Sequence, residues 1–180
     1  KASPYKDSAD LHQAFVELGN MTSGRFSVRA GRQELIFGDQ RVLGSANWLN
    51  TPRTFDAVRA AVNFGKIRVD AFSASVVNPV NGVFDHHKAG DDIHGLYGTI
   101  SKVLPGATIE PYIFWRLARG LVTEEGTPGR RDTKTLAIRV SRKAGNGPDY
   151  TGHFLRQHGN IGADTVSAYA FNLAAGYTLK

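Results

Sequence analysis

The sequence contains no cysteine. Disulfides and thiolate metal sites are therefore excluded. No run of about 18 apolar residues occurs, so no helix of this chain can cross a bilayer. The first ten residues, KASPYKDSAD, are polar, and the apolar stretch of a signal peptide is missing there. Lys and Arg never cluster in a block of five or more. That speaks against a nucleic-acid surface, which usually concentrates its positive charge. A phosphate-binding glycine loop, a dinucleotide fingerprint and a Ser/His/Asp signature are also missing. On these grounds neither an enzyme nor a cofactor is expected.

What is present is turn residues, charge and alternation. The 180 residues include 20 Gly and 7 Pro, and 22 Lys+Arg against 16 Asp+Glu give a formal net charge of +6. A scattered basic excess suits anionic partners such as an acidic polysaccharide or acidic lipid. Nine segments alternate apolar with polar or small residues, the pattern of strands with one buried and one wet face. They are Leu11 to Leu18, Arg25 to Ile36, Phe55 to Asn63, Ile67 to Val77, His94 to Lys102, Thr108 to Ala118, Lys134 to Ser141, Asp149 to Gln157 and Val166 to Leu179. The spacing predicts an all-β, antiparallel up-and-down meander.

The connections alternate short and long until the last, HGNIGADT, which is compact where a long loop is due. The long ones are Phe37 to Thr54, Asn78 to Ile93, and the stretch containing GLVTEEGTPGRRD. Outer-membrane barrels have short turns on one side and long loops on the other, and strands of about ten residues cross the bilayer at a tilt. Trp115, Tyr169 and Tyr177 fall on the apolar face near strand ends, as an aromatic girdle does.

Charged residues recur in mid-strand on the polar face: Arg29, Arg59, Arg68, Asp70, Glu110, Arg116 and Arg139. In a barrel these positions line the lumen; in a sandwich they meet solvent. Two unit charges about 8 Å apart interact by roughly 2 kcal/mol at an effective dielectric near 20, so several in one tube bias ion traffic. Asp70 and Glu110 are expected to pair with the arginines. No spacing supports a glycosidase pair of carboxylates. Arg32 breaks the alternation and fits a bulge or the rim. Trp48, Asn50 and Arg53 in the first long loop combine an aromatic, an amide and a cation, a suitable contact surface for a sugar acid. The group Asp85, His86, His87, Asp91 and Asp92 meets no metal-ligand spacing and reads as a solvated loop. His12, His94, His153 and His158 stand alone and read as structural.

The region from Val28 to Val77 carries GRQEL, FGDQR, W-x-N and RTFD-x-x-R in that order. This arrangement resembles the alginate-export domain of bacterial outer-membrane barrels. DIHGLYGTI, TKTLAIRVS and AYAFNLAAGYTL resemble strands of the same family. The resemblance implies an outer-membrane barrel of about 18 strands in a Gram-negative bacterium, with an arginine-lined lumen passing anionic polysaccharide or other anionic solutes. Nine meander strands leave the first and last pointing the same way, whereas single-chain bacterial barrels have even strand numbers. Residues 1–180 are thus expected to be about half of a barrel, in contact with outer-membrane lipid and with the remainder of that barrel. The alternatives are a non-selective porin and a soluble β-sandwich that binds acidic carbohydrate.

Overall fold

The computed structural model describes residues 11–49, 52–80, 83–102, 105–122, 126, 128–143, 145 and 147–178. Nine strands occur in chain order: β1 Ala14–Leu18, β2 Phe26–Gln33, β3 Phe55–Phe64, β4 Ile67–Asn78, β5 His86–Ser101, β6 Ala107–Val122, β7 Pro128–Arg142, β8 Gly147–Ile161 and β9 Asp164–Thr178. They form one antiparallel sheet in the order β1 to β9, each strand bonded to its neighbours in the chain. β1 and β9 do not pair with each other, so the sheet is not closed. A sandwich needs a second sheet packed face to face on the first. Among the described residues there is one sheet, which removes the sandwich alternative.

Alternation sorts the side chains onto two unlike faces. On the outer face, cross-strand register aligns Leu18, Val28, Ala60, Ala71, Leu96, Ile113 and Leu136 in one row. The row beside it holds Phe26, Val62, Val69, Ile138, Phe154 and Phe171. Leu18 is 70 % exposed, Phe26 61 % and Phe171 72 %, although each belongs to a continuous apolar surface. Patches of this kind are rare on soluble monomers.

The inner face holds the core. The connection spanning 34–54 folds back onto it and buries Leu35, Phe37 and Leu43 against Phe55, Ala57, Phe72, Ala74, Ile93, Tyr97, Tyr112 and Phe114. Burying these groups is the main force that seats the connection. The hairpin between β3 and β4 turns in two residues, and Gly65 there has a φ of 63°, the left-handed value such a turn requires.

Three sequence expectations need correction. The connection expected from Asn78 to Ile93 is strand from His86 onward. The stretch read as a third long loop is mostly strand too, since β6 runs to Val122 and β7 begins at Pro128. The segment HGNIGADT shrinks to the turn Gly162–Ala163 between β8 and β9. Polar residues on both faces hide the alternation in these stretches, while backbone pairing such as Asp132↔Asn160 continues through them. Strands of 15 or 16 residues are longer than a bilayer needs. For the same reason Trp115 lies in mid-strand and not near a strand end.

Candidate functional site

The inserted connection and the inner face make the candidate site. Phe37 is its anchor. Its ring lies 5.2 Å from Phe72, 4.8 Å from Tyr97 and 6.1 Å from Phe114, centroid to centroid. Gly95 on β5 makes room for this cluster, because a Cβ there would meet the rings of Phe72 and Phe114 at 2.5 and 2.7 Å. Arg59 covers the other side of Phe37, its guanidinium carbon 4.7 Å from the ring centroid. That arrangement is a cation–π contact.

The seven residues read from the sequence as pore-lining all project from the inner face, as strand parity requires. The structure brings them together in two groups. In the first, Arg59 donates to Asp70 Oδ1 at 2.9 and 2.8 Å, and Arg68 donates to Asp70 at 2.6 and 2.9 Å. Asp70 is 2 % exposed, so two cations compensate one buried carboxylate. In the second, Arg139 donates to Glu110, which also accepts from the Tyr97 hydroxyl at 2.8 Å. Arg29 and Arg116 stand apart. Arg29 is held by Glu17 at 2.8 and 2.5 Å, and Arg116 by Asp91 at 2.8 and 3.1 Å.

The connection joins the second group. Asp39 accepts from Arg41 Nε at 2.7 Å and lies 3.8 Å from Arg139 Nε. Partial burial pushes the Asp39 carboxyl up, but the bond from Arg41 and the charge of Arg139 outweigh this and hold it below its ordinary value. Tyr112 and His153 share a hydrogen bond of 2.8 Å next to this cluster. Beyond Arg41 and Val42 a cleft of about 560 Å³ remains open against β7, β8 and β9, with Thr135, His153, Gln157 and Asn172 among its lining residues.

Trp48 is 78 % exposed and Arg53 is exposed, both in the part of the connection that follows Leu43; Asn50 lies outside the described residues. The part seated on the wall is instead 35–43. Its residues Phe37, Asp39 and Arg41, together with Tyr97, Tyr112 and His153, were not singled out from the sequence as site residues. The FGDQR motif contains three of the six and was the available signal. Arg32 sits on the outer face near the rim, where it donates to Asp56 at 2.9 Å and to the Asp85 carbonyl at 2.7 Å. Of the acidic and histidine group read as a solvated loop, His86, His87, Asp91 and Asp92 belong to β5 and Asp85 lies buried just before it, and its members diverge. Asp91 meets Arg116, Asp92 accepts from Ser75 at 2.5 Å, and His87 lies 3.1 Å from Asp56.

Taken together, six guanidinium groups (Arg29, Arg41, Arg59, Arg68, Arg116 and Arg139) face five carboxylates (Glu17, Asp39, Asp70, Asp91 and Glu110). Within this set the unbalanced positive charge falls at Arg59 and Arg68, which share Asp70. An arrangement of fixed, paired charges around an inserted loop can bind or sort anions without reacting with them. No curated protein and no solved structure matches the chain. A family model described as alginate export matches residues 1–180, the whole of the sequence, and the chain belongs to that alginate export family.

Proposed function

We propose that this chain is the wall of an outer-membrane channel that passes anionic solutes, acidic polysaccharide among them. One observation carries the reading: the two faces of a single sheet differ in kind. The outer face is a continuous apolar surface. The inner face carries paired charges and an inserted loop. A barrel wall has lipid on one side and water on the other, and alternates in this way. Membership of an export family supports the same reading. Asp70 and Glu110 are both engaged by guanidinium groups, so these two are not a free carboxylate pair of the kind glycoside hydrolysis uses. Transport without catalysis is the reading proposed.

Within it, the Arg59–Asp70–Arg68 group is the anion-attracting element, because one of its two cations is unbalanced. The exposure of Trp48 and Arg53 supports a role for them in meeting a sugar acid at the mouth. The test is a reversal potential under a KCl gradient, with the complete barrel that carries this chain in a planar bilayer. Anion preference is expected. It should weaken on Arg59→Gln or Arg68→Gln and change less on Arg116→Gln, whose charge Asp91 already balances. Insertion without preference would leave a non-selective porin. Failure to insert, with good solubility in plain buffer, would sink the membrane reading.

A further inference from the structure

On the inner face Arg29, Arg59, Arg68, Arg116 and Arg139 each have a carboxylate partner. Arg156, on the outer face of β8, has none among the described residues. Its lateral neighbours are Leu136 and Tyr169, and along its own strand it stands between Phe154 and His158. It is exposed, as is Lys134, which pairs in register with His158 one row nearer the long-loop end. Lys134 Nζ lies 5.3 Å from the Trp115 ring centroid. The nearest carboxylate on that face, Asp132, accepts from Trp115 Nε1 at 2.7 Å. Arg156 thus stands uncompensated where the apolar surface gives way to polar residues.

A groove leads to it. Gly98, Pro111, Ile113, Leu136, Ile138 and Phe154 are among the residues that line an open channel of about 580 Å³ with Arg156 at its margin. Its shape follows from sequence. Gly98 presents no side chain, and Pro111, which has no N–H, interrupts the β5–β6 ladder between Tyr112 and Ile109.

We propose that this groove and the cations above it bind a phosphorylated acyl lipid. A chain would lie along Leu136, Ile138 and Phe154, and the phosphate would meet Arg156 and Lys134. Charge complementarity selects this occupant. An uncompensated guanidinium on a lipid-facing strand is unfavourable away from the interface, and a phosphate oxygen is its best acceptor. A second protein strand would leave the cation unanswered. Trp115 and Tyr169 flank the site with rings suited to the headgroup level. The inference rests on the reading that the outer face meets lipid.

The test uses the complete barrel in non-ionic detergent, titrated with dioleoyl phosphatidic acid and followed by native mass spectrometry. Dioleoylglycerol and inorganic phosphate serve as comparisons. Phosphatidic acid is expected to bind the wild type about tenfold more tightly than the double variant Arg156→Gln, Lys134→Gln. Arg156→Lys should keep most of the binding, and dioleoylglycerol should not distinguish wild type from the double variant. Equal binding of phosphatidic acid to both forms would overturn the proposal. So would inorganic phosphate that displaces the lipid at equal concentration, because the groove would then contribute nothing. A barrel that inserts and conducts but binds no phosphatidic acid would overturn this inference alone. A barrel that fails to insert would remove the lipid-facing reading beneath it.

Discussion

Asp70 shows how much a single carboxylate can hold. It is buried, and it bridges two guanidinium groups that would otherwise repel each other across the β3–β4 pair. Removing one partner of a buried ion pair leaves the other desolvated and uncompensated. Asp70→Asn is expected to destabilise the barrel by about 3 kcal/mol, read from the urea midpoint in micelles. Asp91→Asn should cost about 1 kcal/mol or less, because its partner Arg116 is 37 % exposed and water can take over. Equal effects of the two substitutions would mean that burial does not control these pairs. Asp39 makes a pH prediction of opposite reach. Its carboxyl is lowered in the folded state, so its contribution to seating the connection is complete above the ordinary carboxylate value. That contribution is lost as pH falls through the lowered value, below about pH 3.9. Conductance should stay flat from neutral to mildly acidic pH and rise only in stronger acid. Asp39→Asn should show the raised conductance already at pH 7. An Asn variant that conducts like the wild type there would mean that Asp39 does not help to seat the connection.

At the scale of the element, the inserted connection is held chiefly by Phe37. Phe37→Ala removes the ring contacts to Phe72, Tyr97 and Phe114 and the cation–π contact to Arg59. Truncating a buried Phe typically costs about 3–5 kcal/mol, enough to release a loop whose other seated side chains are few. Single-channel conductance should increase, with the strands intact by circular dichroism. Unchanged conductance would mean that the connection does not narrow the passage. Why this element was half-legible has a physical explanation. Its length and turn residues mark 34–54 as a connection, but a loop has no period, so nothing in the chain said which of its aromatics face inward. Trp48 and Phe37 look equivalent in sequence, yet one is exposed and the other buried. Strand parity behaves differently. It puts seven charged residues on one face, because the alternation of a strand is rigid. Their partners Glu17 and Asp91 came only with register, which is a property of two strands and not of one. The strand ends beyond Ala118 and before Lys134 were missed because both faces are polar there and backbone pairing alone sustains them.

The described residues form one sheet with two open edges. β1 and β9 run in the same direction in a nine-strand meander, so they cannot close on each other as an antiparallel pair. In hydrocarbon each unpaired backbone group is unfavourable by several kcal/mol, so neither edge is stable in a bilayer without a further strand. On the proposed barrel reading, an even total is reached with an odd number of additional strands between β9 and β1. Hydrogen exchange on the complete barrel tests this directly. Edge amides are protected only when a neighbouring strand accepts from them. The amides of β9 that do not bond to β8, and those of β1 that do not bond to β2, should be protected like those of β5 and β6. In residues 1–180 expressed alone and held in the same detergent, the edge amides should exchange rapidly while β5 and β6 stay protected, or the chains should associate through their edges. Slow edge exchange in a monomer of the isolated chain would mean that the sheet satisfies its own edges, and the case for a larger barrel would fail with it.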